Sequence, residues 1–238
     1  MSQAKLNVVV LEVTRNALDL IYAACRQCYS EEFAGSLMRA TVDGGKKSQF
    51  VKKIVASGHD SPLEHVKFTF AVEGVSRALT HQLVRHRLAS YSQQSQRYVK
   101  EDSFDYVVPP AIENDRALKQ EFVSAMGAIQ QSYNRLREAI RASGVSAEKA
   151  NEDARFVLPQ ATETKIVVTM NCRELLHFFK LRCCSRAQWE IKALADRMLE
   201  LCRRELPEVF FGAGAKCRGL GYCPEGEKFT CGKYPLRK

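Results

Sequence analysis

The chain has 238 residues, 45% of them hydrophobic, which is enough to bury a core and excludes a disordered chain. Its formal net charge of +9 asks for an anionic partner: nucleic acid, a membrane surface or a phosphorylated small molecule. No apolar run approaches the length of a membrane span, and nine cysteines behind an N-terminus without an export pattern point to reduced thiols in a cytoplasm rather than a disulfide framework.

Residues Leu6–Thr14 read as a first strand, and Ala17–Cys28 as a helix with Leu18, Ile21, Tyr22 and Cys25 at helical spacing. A second helix covers Lys46–Ser57 and stops at Gly58. "VKFTFAVEG" alternates like a half-buried strand. In "VSRALTHQLVRHR" the period becomes helical: Val75, Leu79 and Leu83 share one face, and Arg77, His81 and Arg85 form a second row. One long helix is expected from Ile112 to Ser143, ending at Gly144, then a short one from Ala147 towards Pro159. "TKIVVTM" reads as a strand, and "CRELLHFFKLRCC" and "AQWEIKALADRMLELCRREL" as helices. No repeat or linker divides the chain. The expectation is one mixed α/β (α+β) domain over residues 1–211, a central sheet with helices, followed by a Gly/Cys-rich tail at 212–238.

The stretch "VRHRLASYSQQSQRYV" holds three arginines, three serines, three glutamines and two tyrosines. Arginine pairs bind phosphates and carbonyl edges as a fork, while Gln82, Gln93, Gln94, Ser95 and Gln96 add neutral donors and acceptors and Arg97 a further charge. That set suits a nucleotide. It also suits a solvated basic loop, and composition does not choose between them. In "GHDSPLEHVKF", His59 and His65 lack the zinc-protease spacing, so they read as structural, with Ser61-Pro62 opening a helix. In "MNCRELLHFFKLRCC", Asn171, Leu175, Phe178 and Arg182 fall on one side of a helix, and Arg173, His177 and Leu181 form a second stripe. An arginine beside an apolar face needs a partner such as a phosphate or an ionisable carbonyl.

Arg85-His86-Arg87, seven residues and then Ser95 resembles the signature of the flavin-dependent thymidylate synthases. "GHDSPLEH", "RFVLP" and "LRCCSRAQWEI" resemble three further blocks of that family, in the expected order from His59 to Ile191. The resemblance implies a mixed α/β fold assembled as a homotetramer with active sites shared between subunits. It implies methylation of dUMP to dTMP, with methylenetetrahydrofolate as carbon donor, reduced FAD as hydride donor and NADPH as the reductant of FAD. Gln82, Arg85, Gln93, Gln94, Ser95, Gln96, Arg97, Arg155 and Arg182 match nucleotide-binding positions, with backbone at Leu83 and Val84. Ser61, Arg85, His86, Arg87, Gln93, Asn171, Cys172, Arg173 and His177 match flavin-binding positions, and His59 stands where the family places a flavin-side histidine. Arg182 matches the arginine at the uracil edge, the expected catalytic residue. Gln93 stands where relatives can carry glutamate and His177 where they can carry asparagine. Both still hydrogen-bond, but Gln93 lacks the charge that a proton-transfer role would use.

Two readings compete. A nucleic-acid-binding module would explain the net charge and the Arg/Tyr-rich run, and a cysteine-nucleophile methyltransferase would explain the thiols. No cysteine sits in a motif that pairs it with a base. In the tail, Cys217, Cys223 and Cys231 could supply three thiolates to zinc, but intervals of five and seven residues do not match the usual close pairs. The expectation there is reduced cysteines and no metal.

Overall fold

The computed structural model describes residues 1–39 and 42–237. In chain order the elements are β1 (Asn7–Val13), α1 (Ala17–Gln27), α2 (Ala34–Arg39), α3 (Gly44–Ala56), β2 (Lys67–Ser76), α4 (Arg77–Leu83), β3 (Ala89–Gln93), α5 (Pro110–Glu113), α6 (Arg116–Ala142), α7 (Ala147–Ala154), β4 (Glu163–Asn171), α8 (Cys172–Arg182), α9 (Trp189–Glu205), α10 (Pro207–Phe210) and α11 (Lys216–Leu220). The fold is mixed α/β, as expected. Its strands form one sheet in the order β1-β2-β4-β3. Along β2 and β4 the partner number falls as the other rises: Cys172 N–H bonds the Val66 carbonyl, and Arg77 N–H bonds the Thr162 carbonyl. That is antiparallel pairing, so the two strands need no crossover helix of the parallel kind.

The chain gathers into two compact units, each built from three separate stretches. The first comprises Met1–Asn7, Val72–Leu83 and Tyr91–Val167. Its core joins Phe104, Tyr106, Val108 and Met126, with Phe122 and Ile129 of α6 packed against them. The buried amide of Gln130 on α6 pins the 101–104 loop: it accepts from Phe104 N–H at 2.8 Å and donates to the Glu101 carbonyl at 2.8 Å. Gly74 has φ +71°, and a Cβ there would lie 1.9 Å from the Lys5 carbonyl oxygen, so only glycine fits.

The second unit comprises Val8–Ala71, Val84–Ser90 and the chain from Val168 onwards. Its core is aromatic: Phe68 stacks on Phe70 at 5.9 Å, and the Phe210 ring stands against Phe68 at 5.6 Å and Phe179 at 6.0 Å. Alternation along β2 and the apolar face of α8 bring these rings inward. Residues 212–237 fold within this unit. The Arg203 guanidinium holds their start by donating to the carbonyls of Phe210 at 3.2 Å and Ala213 at 2.6 Å.

Three expectations need correction. The helix expected through Arg87 ends at Leu83, because the Tyr91 hydroxyl donates at 2.8 Å to the Leu83 carbonyl that a continuing helix would use. Arg85 therefore leaves the Arg77/His81 row, and the polar run that follows contributes β3. The single helix expected from Ile112 is two, since the Asp115 carboxylate captures the N–H groups of Ala117 and Leu118 at 2.9 and 3.1 Å and starts α6 afresh. Helix α2, which was not expected, begins where the Gln27 side chain accepts from Ala34 N–H at 2.6 Å.

Candidate functional site

The residues singled out from the sequence fall into two groups, one in each unit. In the first unit, Gln82 and Leu83 close α4, Gln93 ends β3, Gln94–Arg97 follow it, and Arg155 opens a 3-10 turn after α7. Gln93 donates to the hydroxyls of Thr80 at 3.3 Å and Thr164 at 3.2 Å, which fixes its amide and leaves its carbonyl as an acceptor. The side-chain carbonyl of Gln94 is buried without a hydrogen-bond donor. An orphan acceptor of this kind costs about 1–3 kcal/mol unless a ligand supplies the donor. Gln96 is buried. The Ser95 hydroxyl oxygen accepts from Arg97 N–H at 3.2 Å, a local turn that leaves its proton to donate outward. Arg97 is ion-paired with Glu148 at 3.0 Å and Glu152 at 3.1 Å, both on α7. Burial lowers the pKa of Arg77, and the nearby Arg155 cation lowers it further. The Glu101 carboxylate acts the other way, so Arg77 stands between a like and an opposite charge. Arg77 had no role in the sequence reading, which saw only its place in a helical row.

In the second unit, His59 precedes a 3-10 helix over Ser61–His65, and Val84–Arg87 form the irregular segment before β3. Arg85, Arg87, Arg173 and His177 are exposed, and Arg173 is ion-paired with Glu64. Asn171 caps α8, its side chain accepting from Glu174 N–H at 2.9 Å. Cys172 is fully buried, and burial drives its thiol far above the ordinary range. His86, only 5% exposed, lies between two partners: its Nδ1 is 3.0 Å from a carboxylate oxygen of Glu174, and its Nε2 accepts from Arg182 Nε–H at 3.1 Å. The Phe178 ring stands edge-on to it at 4.8 Å. Burial is the main force lowering the His86 pKa and the Arg182 charge adds to it, while the hydrogen bond and charge of Glu174 act the other way. Arg182 ends α8, where the helix dipole favours a cation. Sequence reasoning missed Glu174. Its only signal was a carboxylate amid the apolar face that carries Leu175 and Phe178.

The thiols gather elsewhere in the second unit. Cys183, Cys184, Cys217, Cys223 and Cys231 line a cavity of about 290 Å³. Cys183 is pushed up to about 12, chiefly by burial, so it is an inert thiol rather than a nucleophile. Among the described residues, no group of three or more His, Cys, Asp or Glu is placed to hold a metal ion. Among them, too, no helix is long and apolar enough to cross a membrane.

Comparison with known proteins gives these features a family. The model of the family described as "Thymidylate synthase complementing protein" matches residues 9–208. A flavin-dependent thymidylate synthase of Nitratidesulfovibrio vulgaris is 56% identical over 242 aligned residues, covering 100% of this chain and 99% of the relative. Relatives of the same name from Geobacter sulfurreducens and Clostridium tetani are 49% and 46% identical, covering 96% and 95% of this chain and 94% and 93% of their own lengths. Among solved structures, a UMP/dUMP methylase, PolB from Streptomyces cacaoi, has the same fold, with a TM-score of 0.73 over 88% of this chain and 95% of its own at 24% identity. The chain belongs to the flavin-dependent thymidylate synthase family.

Proposed function

We propose that the protein methylates dUMP to dTMP, taking the one-carbon unit from methylenetetrahydrofolate and the hydride from reduced FAD, with NADPH as the reductant. The observation that carries the reading is the family match across residues 9–208, which takes in Arg85-His86-Arg87, Ser95, Arg155 and Arg182. The donor chemistry fits the cofactor: exposed guanidinium groups at Arg85, Arg87 and Arg173 in one unit suit the diphosphate of a dinucleotide. Ser61, Asn171, His177 and His59 complete that side, and Gln93 stands where the family also touches cofactor. Cys172 and His86, both buried, contribute there through backbone. Bound FAD supplies the hydride and the rest of the redox chemistry.

The nucleotide falls to Gln82, the backbone of Leu83 and Val84, Gln93–Arg97, Arg155 and Arg182. The orphan carbonyl of Gln94 accepts from a ligand N–H or hydroxyl. Arg155 holds phosphate beside Arg77. Ser95 donates its hydroxyl proton to the nucleotide and is not a nucleophile. Arg182 places a permanent cation at the uracil edge, stabilises charge at N3 and so raises the nucleophilicity of carbon 5. The working form is a cytoplasmic homotetramer with shared sites, in which neighbouring copies cover Leu88, Phe156 and Phe211, exposed here at 71%, 83% and 75%.

The test uses purified protein. It binds FAD and takes on a yellow colour, and it releases tritium from carbon 5 of labelled dUMP only when folate and NADPH are both added. A colourless protein that refuses added FAD overturns the reading, and steep salt-dependent binding of DNA or RNA by that protein would favour the nucleic-acid alternative.

A further inference from the structure

We propose that Glu174 is a positioning residue which, through His86, fixes the guanidinium plane of Arg182 for the nucleotide. The inference rests on the reading of Arg182 as a nucleotide residue, and it adds two residues that neither composition nor motif assigned to that task.

The geometry determines the proton positions. A guanidinium keeps its protons at any working pH, so the Nε of Arg182 is a donor and the Nε2 of His86, 3.1 Å away, must be an acceptor. The imidazole proton then lies on Nδ1, which donates to Glu174 at 3.0 Å. A carboxylate 7% exposed in its side chain needs such a donor, and a histidine 4% exposed needs both its nitrogens matched. The edge-on Phe178 ring keeps the imidazole from turning. Glu174 is itself fixed in the first turn of α8 by the Asn171 cap, while Arg182 stands at the other end of the same helix. One helix thus carries both ends of the relay, and His86 spans them. With Nε engaged, the terminal Nη edge of Arg182 is aimed rather than free to rotate, which supplies the fork geometry that planar recognition requires.

Protonation breaks the device. A second proton on His86 would set Nε2–H against Nε–H of Arg182, donor against donor. Glu174, Arg182 and His177, which shift the His86 pKa, are all on α8. Glu174 raises the pKa of His86, so its removal lets the pKa fall further and moves the acid limb of activity to lower pH.

The experiment compares wild type, Glu174→Gln and Arg182→Ala in FAD content, dUMP affinity, kcat and its pH profile. We expect Glu174→Gln to keep its FAD, to lose on the order of tenfold in kcat and in dUMP affinity, as for partners that orient a ligating histidine, and to shift its acid limb downward. Wild-type values on all three measures in Glu174→Gln, with Arg182→Ala defective, overturn the positioning role alone. Wild-type behaviour of Arg182→Ala overturns the reading of Arg182 and the relay with it. If Glu174→Gln does not fold, the decision passes to wild-type protein labelled with ¹⁵N-histidine. A His86 signal with the proton on Nδ1 supports the relay, and one with the proton on Nε2 overturns it.

Discussion

The polar segment after β3 and the trio of His86 with Glu174 and Arg182 of α8 are both rich in hydrogen-bonding groups, yet they are held in opposite ways. At Gln94–Arg97 a buried carbonyl lacks its donor, and Arg97 is held by surface acids that are half-exposed. Around His86, both ring nitrogens are matched and the side chains of His86 and Glu174 are almost wholly buried. The first arrangement leaves an acceptor for a ligand to fill, whereas the second is complete without one. An incomplete set gives binding energy when filled. A complete, desolvated set gives orientation, because its dipoles do not reorganise when charge develops. On the function proposed above, recognition falls to the segment after β3 and activation to Arg182 at the end of α8.

Substitutions at three places test that division, in order of decreasing expected effect. Arg182→Ala should lower methylation by about 3 kcal/mol of transition-state stabilisation while FAD content stays at the wild-type level, and lysine should restore only part of it. Flavin reduction by NADPH, followed as bleaching, should survive in both variants. Gln94→Leu should remove the acceptor that the nucleotide fills and raise KM for dUMP by roughly ten- to a hundredfold at nearly constant kcat. A fall in kcat with KM unchanged would place Gln94 on the activation side and break the comparison. Glu148→Gln with Glu152→Gln should free Arg97 and tighten dUMP binding by no more than about fivefold, since exposed pairs are worth little. Calorimetric titration at low and high salt checks this, because the gain must shrink with salt.

The smallest effect concerns stability alone. Glu101 has its pKa raised, mainly by burial and then by the Glu163 carboxylate. Its folded form therefore favours the proton more than its unfolded form does, and the penalty appears as pH rises through the ordinary carboxylate range. Glu101→Gln should raise the melting temperature at pH 7, with the difference vanishing in acid. An unchanged melting temperature at pH 7 would mean that Arg77 and Lys165 already neutralise the carboxylate.

Much of this was legible in the sequence. Arg85-His86-Arg87 and Ser95 stand in one short stretch, and β2, β4, α8 and α9 follow their apolar periods to within one or two residues. What the sequence hid were contacts between distant positions. The end of α4 depends on a phenol eight residues further on, and the tautomer of His86 depends on a carboxylate 88 residues away. Neither leaves a periodic trace. The cap at Asp115 did leave one, an acidic residue just before a helical run, but a helix read as starting at Ile112 ran past it and masked the break. Cysteine spacing, too, gave no warning that Cys183 and Cys184 share a cavity with three thiols of the tail.

The most direct test of the account is a single turnover without oxygen. Enzyme carrying pre-reduced FAD is mixed with dUMP and methylenetetrahydrofolate, and both flavin oxidation and dTMP are measured. The account predicts one dTMP formed for each flavin oxidised, at a rate that Arg182→Ala lowers by orders of magnitude. Flavin oxidation without dTMP, or an equal rate in Arg182→Ala, would contradict it.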